Sequence, residues 1–366
     1  MTTNYRLLLM LDFRSDTATR PTPAMRAAMQ EAEVGDDVFG EDPTVNRLQQ
    51  RLAEMLGMEA ALFVPSGTMS NQIGIRVHCQ PGDEFICESE CHIYNYEQGA
   101  FAQLSGLVAR TVPGEHGVLR VEQLRDLVRP VDQHLVRTRL VCLENTHNRG
   151  GGRVLPFDEV ERISEWAHER GVLMHLDGAR LFNAVVATGI PAARWAEHFD
   201  TVSICFSKGL GAPIGSALAG PREAIAKAHR HRKLFGGAMR QAGVIAAAAL
   251  YALEHHVERL AEDHRHAQQL AEAIRTIDGL ELRPAQVDTN LIIFRVLPRL
   301  GTAPEFSARL KQHGLLMNAF GGQLIRAVTH LDVNAADTAA AAEILRDVAA
   351  EAAEGKPLAA VRGAYG

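Results

Sequence analysis

The chain has few cysteines, few aromatic residues and no long apolar run. Its 366 residues include five cysteines, and aromatic side chains make up 5% of the total. An odd number of scattered cysteines does not suit a disulfide framework and favours a reducing compartment. Apolar stretches stay below the ~18 residues of a membrane helix, and the one near the start is shorter than a signal-peptide core. We therefore expect a cytoplasmic protein with no membrane partner.

The charges carry no signature of a polyanion partner. The 38 basic and 44 acidic side chains give a net charge of −6, without long blocks of one sign, so no nucleic-acid partner is expected. With 46% hydrophobic and 22% charged residues, the composition is that of a globular protein. At about 150 residues per domain, the length predicts two domains.

Apolar runs alternate with amphipathic stretches from about residue 45 to residue 255, a pattern typical of a mainly parallel sheet in an α/β domain. The predicted buried strands span residues 60–64, 84–87, 139–143, 172–176 and 201–206. An uninterrupted helical stretch is predicted over residues 243–276. Strands over 290–294 and 323–328 and a final helix from Asn334 follow it.

This pattern predicts three parts of the chain. We expect residues 1–10 to form a disordered leader, with Met10 as a possible start, residues 11–255 a large domain, and residues 256–366 a smaller C-terminal α/β domain with a frayed tail from Lys356. Ligands of such sheets bind beyond the carboxyl ends of the strands. Polar residues after the predicted strands are therefore the candidates for chemistry.

Lys208 and Asp177 each follow a predicted buried strand. Lys208 precedes Gly209-Leu210-Gly211, a setting that suits a lysine forming a Schiff base, although a surface lysine would fit the same position. Asp177 could pair with a protonated ring nitrogen of a pyridine cofactor, or simply cap the helix that follows. The two residues together favour the cofactor interpretation.

A phosphate site is predicted at Ser66-Gly67-Thr68, which follows a strand and opens a helix. The motifs of nucleotide-binding loops are absent, so a small phosphate ester fits better. His92 and Tyr96 are four residues apart and share one helix face, which allows His92 to lie flat against an aromatic ring; a core histidine is the alternative. Cys87 and Cys91 have no second ligand pair at zinc spacing, so no metal site is predicted.

Several longer motifs resemble the low-specificity L-threonine aldolases, a group of β-eliminating lyases that use pyridoxal 5′-phosphate and have the aspartate-aminotransferase-like fold, fold type I. The resemblance covers nearly all of the chain from Asp12 to Asp332. It is carried by Asp12-Phe-Arg-Ser-Asp-Thr17, Gly35-Asp-Asp-Val-Phe-Gly-Glu-Asp-Pro-Thr44, Glu144-Asn-Thr-His-Asn148, His175-Leu-Asp-Gly-Ala-Arg180, Ser207-Lys-Gly-Leu-Gly211, Gly236-Gly-Ala-Met-Arg-Gln241 and Val328-Thr-His-Leu-Asp332.

The resemblance implies a role for each candidate residue. Lys208 would bond covalently to the cofactor, Asp177 would hold its ring nitrogen, His92 would stack on its ring, and Arg180 would also contact it. The cofactor phosphate would be held by Gly67, Thr68 and Arg240. The substrate carboxylate would be received by Ser15, Arg180 and Arg326, since guanidinium groups match a carboxylate bidentately. The resemblance places His134 near the substrate hydroxyl, and it matches Tyr96 to a substrate-binding position where family members vary between aromatic residues.

The implied reaction is a retro-aldol cleavage of L-threonine or L-allo-threonine to glycine and an aldehyde, with His92 or a water held by His134 as the base. The implied assembly is a homodimer or a homotetramer, the latter a dimer of dimers, with active sites shared between subunits. Two Gly-rich segments, residues 150–153 and 317–326, depart from the family pattern and leave the aldehyde range open. The alternatives are a phenylserine-type aldolase, a β-eliminating lyase, or a non-catalytic α/β protein that binds a small molecule.

Overall fold

The structure is a computed structural model that describes residues 10–356. Residues 1–9 of the predicted leader, and all but the first residue of the predicted frayed tail, lie outside the described residues. Among the described residues, no helix is both long and apolar enough to cross a bilayer.

The strands within residues 10–356 are β1 (Leu11–Asp12), β2 (Ala60–Val64), β3 (Glu84–Glu88), β4 (Val108–Val112), β5 (Thr138–Glu144), β6 (Leu173–Asp177), β7 (Thr201–Cys205), β8 (Ser216–Gly220), β9 (Leu280–Leu282), β10 (Leu291–Val296), β11 (Leu315–Leu316), β12 (Asn318–Ala319) and β13 (Leu324–Val328).

The α-helices of the same residues are α1 (Pro23–Gln30), α2 (Pro43–Leu56), α3 (Gly67–His78), α4 (His92–Asn95), α5 (Ala100–Ser105), α6 (Val121–Leu124), α7 (Phe157–His168), α8 (Leu181–Thr188), α9 (Ala192–Ala196), α10 (Arg222–Leu234), α11 (Gly243–His255), α12 (Leu260–Arg275), α13 (Ala303–Gln312) and α14 (Ala335–Ala353). Short 3-10 helices span Asp16–Ala18, Asp37–Phe39 and Pro298–Leu300.

The chain divides into two compact units. Thr19–Ala261 form the large unit, and the described residues up to Ala18 and from Glu262 onward form the small unit. The sequence pattern put the boundary near residue 255 and placed residues 11–18 in the large domain. The N-terminal residues belong to the small unit because β1 pairs in parallel with β11, with Leu11 opposite Leu315.

The large unit contains a seven-stranded sheet in the order β2-β8-β7-β6-β5-β3-β4. Every neighbouring pair from β7 to β4 is parallel, whereas β8 runs antiparallel to both β2 and β7. The predicted mainly parallel α/β architecture is therefore confirmed. Strand β8 is rich in small residues and has little β propensity, which is why the apolar pattern did not predict it.

The small unit contains an antiparallel sheet in the order β12-β13-β10-β9. Its own apolar core includes Phe13 from the N-terminal segment together with side chains of α12, α13 and α14. The final helix begins where the sequence predicted, because the Asn334 side chain accepts hydrogen bonds from the Ala336 and Asp337 N–H groups.

The helical stretch predicted over residues 243–276 is two helices rather than one. Helix α11 ends at His255, and α12 begins at Leu260. His256 lies between them with 6% of its surface exposed, and its Nδ1 is 2.8 Å from the Leu210 carbonyl oxygen. A tertiary contact to the segment after Lys208 thus interrupts a stretch that local propensity alone would continue.

The Gly35–Thr44 motif has a structural role in the large unit, where it holds the starts of two helices. The buried Asp42 carboxylate accepts hydrogen bonds from Thr44 and Val45 at the start of α2, and from the Gly243 N–H at the start of α11 at 2.8 Å. A side chain at Gly243 would overlap that carboxylate. One carboxylate therefore caps two helices, each with a positive dipole end.

A buried ion pair joins this motif to α10. Arg232 and Asp37 are each at most 3% exposed in their side chains, with Nη2 and Oδ2 2.8 Å apart. Arg232 also donates through Nη1 to the Phe63 carbonyl oxygen at 2.8 Å, near the end of β2. The pair thereby fixes the strand that leads into the predicted phosphate turn.

We predict that Arg232→Met lowers the free energy of unfolding of the large unit by about 3–5 kcal/mol, because it leaves the Asp37 carboxylate buried without its cation. The double variant Asp37→Asn/Arg232→Met is expected to recover part of that loss. Denaturant unfolding followed by tryptophan fluorescence measures it, since both tryptophans, Trp166 and Trp195, lie in this unit. Arg230→Met, at an exposed position of the same helix, is the control, and an equal effect of both single variants would contradict the prediction.

Candidate active site

Strand ends of the large sheet bring the candidate residues to one edge. Ser216, the first residue of the reversed strand β8, is opposite both Val64 at the end of β2 and Cys205 at the end of β7. On the other side of β7, Asp177 at the end of β6 is opposite Ser203 and also opposite Glu144 at the end of β5. The segments that follow these strands therefore leave the sheet side by side, as the sequence predicted.

Asp177 is a buried carboxylate, 2% exposed. Its Oδ2 accepts a hydrogen bond from the Asn71 amide at 2.8 Å, and its Oδ1 accepts one from the Ala179 N–H at 3.1 Å. Burial alone would raise the pKa of Asp177, but the positive charges of His92 and Lys208 and these hydrogen bonds lower it below its usual value. The site thus holds a full negative charge out of water.

His92 begins α4 and faces a second buried carboxylate, Glu97. The His92 Nδ1 lies 2.9 Å from the Glu97 Oε1, and the Glu97 side chain is fully buried. Burial alone would lower the pKa of His92, but the hydrogen bond to Glu97 and the charges of Asp177 and Glu97 raise it. With its Nδ1 donating to Glu97, His92 presents its Nε2 as the acceptor.

Glu97 is also bound by two amides from α3. Asn71 donates to its Oε1 at 2.9 Å, and Gln72 donates to its Oε2 at 2.5 Å. The ligand atoms of His92, Glu97 and Asp177 lie within 4.8 Å of one another, a spacing that a metal could also use. Protein donors already occupy both carboxylates, so this cluster favours an organic cation; that no metal binds stays a prediction.

The start of α3 forms the predicted phosphate turn. The Ser66 side chain accepts from the Met69 N–H and the Ser66 carbonyl accepts from the Ser70 N–H, whereas the Gly67 and Thr68 N–H groups have no partner among residues 10–356. Nearby, the buried Ser216 hydroxyl has no hydrogen-bond partner in the described part of the chain, and a Cβ at Gly67 would lie 3.6 Å from it. Two N–H groups and a hydroxyl at a helix N-terminus suit a phosphate.

Lys208 follows β7 and is partly buried. Its carbonyl oxygen accepts hydrogen bonds from the Gly211 N–H at 2.8 Å and from the Thr19 hydroxyl at 3.4 Å, which fix the backbone there. Lys208 stands three residues after the end of β7, the strand that pairs with β6, in which Asp177 is the last residue. The positive charge of Lys208 is one of the causes that lower the pKa of Asp177, and it opposes the rise in the pKa of His92.

Arg180 and Tyr96 also lie at this part of the large unit. Arg180 is 6% exposed and stands three residues after Asp177, directly before α8. The Tyr96 ring centroid is 5.5 Å from that of His92, and the Tyr96 hydroxyl accepts a hydrogen bond from Arg149 at 2.6 Å. Glu144 holds the neighbouring backbone, accepting from the His92 N–H at 2.7 Å and the Asn148 N–H at 2.8 Å.

Arg240 is mostly exposed and pairs with Asp36, with Nη1 and Oδ2 2.9 Å apart. Its loop nonetheless lies close to the phosphate turn, since a side chain at Gly237 would overlap Met69 and come within 3.1 Å of Pro65. The structure thus places the loop of Arg240 beside the turn and its guanidinium on an acidic partner.

The remaining predicted site residues are His134, Ser15 and Arg326. His134 lies in an exposed loop, where its N–H donates to Asp132 at 2.7 Å and its Nε2 lies 3.3 Å from Gln133. Ser15 and Arg326 belong to the small unit. There the Ser15 hydroxyl accepts from the Thr17 hydroxyl at 2.8 Å, and Arg326 donates to the Arg14 carbonyl oxygen at 3.3 Å.

Sequence reasoning missed Asn71, Glu97 and Ser216. Asn71 and Glu97 are 2% exposed and Ser216 is fully buried. Buried polar residues of this kind are rare unless they are paired, but burial is not readable from the local sequence. The only available signal was the position of Glu97 five residues after His92.

A model of the β-eliminating lyase family matches residues 12–296. The chain belongs to this family. Among curated relatives of this lyase, the low-specificity L-threonine aldolase 1 of Arabidopsis thaliana is 44% identical, over 89% of this chain and 93% of its own. The low specificity L-threonine aldolase of Escherichia coli K12 is 43% identical, over 89% of this chain and 95% of its own.

Solved structures show the same fold for this lyase. The threonine aldolase of Leishmania major superposes with a TM-score of 0.79 at 22% identity, covering 92% of this chain and 99% of its own. The serine palmitoyltransferase of Sphingomonas wittichii superposes with a TM-score of 0.75 at 16% identity, covering 93% of this chain and 87% of its own. The predicted fold type I architecture and the family resemblance are confirmed.

We predict that Glu97→Gln lowers the pKa of His92. The substitution removes the carboxylate that accepts a hydrogen bond from the His92 Nδ1, and this carboxylate is what stabilises the charged ring. The neutral form of His92 then persists to lower pH. Histidine-selective NMR titration measures the pKa. Glu115→Gln, the same substitution at an exposed position, is the control, and an unchanged His92 titration in Glu97→Gln would contradict the prediction.

Proposed function

We propose that this lyase uses pyridoxal 5′-phosphate to cleave L-threonine and L-allo-threonine to glycine and acetaldehyde. The observation that carries the proposal is the buried, charged Asp177 at the same sheet edge as the Lys208 amine and the phosphate turn. These groups complement a cationic ring nitrogen, an aldehyde and a phosphate, which are three of the polar groups of this cofactor. The names of the curated relatives support the choice of substrate.

Several candidate residues of the large unit would take part in binding the cofactor. When bound, pyridoxal 5′-phosphate supplies an electron-accepting ring that stabilises the electron pair released from a broken bond. Lys208 would hold the cofactor at its aldehyde carbon through the side-chain amine. Asp177 would hold the proton on its ring nitrogen. Gly67 and Thr68 would donate their N–H groups to its phosphate, with Ser216 as a further donor and Arg240 as an outer cation.

The substrate amino acid must be oriented so that the bond between Cα and Cβ stands perpendicular to the ring. Arg180 suits the carboxylate of the substrate, because a guanidinium binds a carboxylate through two parallel hydrogen bonds. The family pattern adds Ser15 and Arg326 to this role. Both residues stay predictions.

Cleavage requires a base for the proton of the β-hydroxyl group. His92 is the stronger candidate, because Glu97 fixes its Nδ1–H and leaves the Nε2 as an acceptor. The same carboxylate stabilises the imidazolium that forms when His92 takes the proton. His134, whose described hydrogen bonds stay within its own loop, remains the second candidate, acting through a water.

Two expectations accompany the proposal. The five cysteines are buried free thiols, which supports a cytoplasmic location, where thiols stay reduced. A homotetramer with shared active sites is proposed from the family pattern, and sedimentation of the purified protein tests it.

We predict that the protein, purified with pyridoxal 5′-phosphate, is yellow and releases glycine and acetaldehyde in equal amounts from L-allo-threonine. Lys208→Ala is expected to abolish turnover and the mass increment left by borohydride reduction, whereas Lys233→Ala, at an exposed lysine of α10, is expected to keep both.

Other outcomes separate the alternative functions. A spectral change with amino acid but no aldehyde would favour a β-eliminating lyase, and activity with phenylserine alone would favour an aromatic aldolase. A colourless, borohydride-inert protein would overturn the proposal in favour of a non-catalytic binding protein.

We predict that Arg180→Lys raises the KM for L-allo-threonine by about tenfold, the size expected when one of two parallel charge-assisted hydrogen bonds is lost. Steady-state kinetics at saturating cofactor measure it, since Arg180 is also predicted to contact the cofactor. Arg194→Lys, at the surface of α9 in the same unit, is the control. An unchanged KM would remove Arg180 from carboxylate binding.

A further inference from the structure

A chain of hydrogen bonds, buried except at its partly exposed His78 end, leads away from the two site carboxylates. Asn71 lies between them and also contacts His175, with the His175 Nε2 3.3 Å from the Asn71 Oδ1. On the other side of the ring, the His175 Nδ1 lies 2.9 Å from the Thr201 hydroxyl, and the same hydroxyl lies 2.9 Å from the His78 Nε2. Thr201 and His175 are cross-strand partners in β7 and β6.

Helix α3 brings its part of this chain of hydrogen bonds onto the sheet with one face. Asn71 and His78 are seven residues apart, which is two helical turns, and Gly74 lies between them on the same face. A side chain at Gly74 would overlap the His175 ring. The helix approaches the histidine closely because this position has no Cβ.

The two carboxylates fix the orientation of the Asn71 side-chain amide. Asn71 Nδ2 lies 2.9 Å from Glu97 and 2.8 Å from Asp177; if the amide were turned over, its oxygen would face two carboxylate oxygens instead. Its Nδ2 therefore donates both hydrogens, one to each carboxylate, and its Oδ1 must accept.

The remaining directions follow. The His175 Nε2 carries the hydrogen that Asn71 accepts, so in the neutral ring the His175 Nδ1 is an acceptor. Thr201 then donates its hydroxyl hydrogen to that Nδ1 and accepts from the His78 Nε2–H. Both rings are neutral at pH 7, because burial lowers the pKa of His175 to about 3 and of His78 to about 4.

We infer that Asn71 is a positioning residue for Asp177 and Glu97, and that His175, Thr201 and His78 form a directed relay that fixes the orientation of the Asn71 amide. Two neighbouring buried carboxylates repel each other and tend to share one proton. A donor to each one opposes this, so that Asp177 keeps its charge for a ring nitrogen and Glu97 keeps its charge for His92. The inference rests on the proposed function, since the relay matters for a cofactor at Asp177.

The relay requires the hydrogen of the neutral His175 ring to be on Nε2, and this can be tested without measuring turnover. Long-range proton–nitrogen NMR of histidine-labelled protein distinguishes the two neutral ring forms. We expect the His175 signal, assigned by its loss in His175→Gln, to show a neutral ring with the hydrogen on Nε2. A ring protonated on Nδ1 or on both nitrogens would overturn the directed relay.

Two substitutions of His175 separate the relay from packing. In His175→Gln the side-chain nitrogen reaches the place of Nε2 and can donate to Asn71, whereas in His175→Asn the shorter amide reaches only Thr201. We expect the Gln variant to bind pyridoxal 5′-phosphate within about threefold of the unchanged protein. The Asn variant is expected to bind about tenfold more weakly, the size that follows when a buried polar group loses its partner. Equal affinities of the two variants would overturn the inference.

A second pair covers the case in which His175→Asn does not fold, as judged by circular dichroism. Thr201→Ser keeps the hydroxyl, and Thr201→Val removes it at nearly equal volume. If Thr201→Val binds the cofactor more weakly and Thr201→Ser binds it as the unchanged protein does, the relay is supported. Equal cofactor binding by the two variants overturns it. The unchanged protein separates this inference from the proposed function. If it fails to bind the cofactor, the proposed function fails, while the ring form of His175 still decides the relay.

Discussion

Two carboxylates, Asp177 and Glu97, are buried within hydrogen-bonding reach of the same Asn71 amide, and the rest of the site is organised around that constraint. Neither anion is tolerable in an apolar interior without donors or cations. Asn71, Gln72 and the Ala179 N–H supply donors, while His92 and Lys208 supply positive charge. The chemistry of the site therefore depends on the polar packing of α3 against the sheet.

The same constraint explains why the functional groups come from so many elements. Each strand contributes only a few residues at or after its carboxyl end, so a site of this size needs β2, β3, β5, β6 and β7 together. Buried carboxylates also hold the surrounding backbone, as Asp42 does for α2 and α11 and as Glu144 does for His92 and Asn148. Much of the acidic content of the motifs thus serves architecture rather than catalysis.

The sequence predicted what is local and missed what depends on tertiary contact. Lys208, Asp177 and Gly67 could be located because each lies within three residues of the end of a predicted apolar strand, and the resemblance to a known family gave their roles. Glu97, Asn71 and Ser216 could not be located, since their significance comes from burial beside residues far away in the chain. The break between α11 and α12 was missed for the same reason, because a contact from His256 to Leu210 decides it.

The direction of β8 has a consequence for how the lysine segment can move. A connection between two parallel strands must run from the carboxyl end of one strand to the amino end of the next, at opposite edges of the sheet. The link from Lys208 to Ser216 instead joins two antiparallel strands, so it begins and ends at the same edge. This link is a short loop between two hydrogen-bonded strands. The Lys208 carbonyl oxygen accepts a hydrogen bond within the loop, and the Leu210 carbonyl oxygen is bound by His256. We therefore expect the backbone amides of this segment to exchange only when the central sheet opens. As long as the sheet is intact, Lys208 keeps its position relative to the Ser216 hydroxyl.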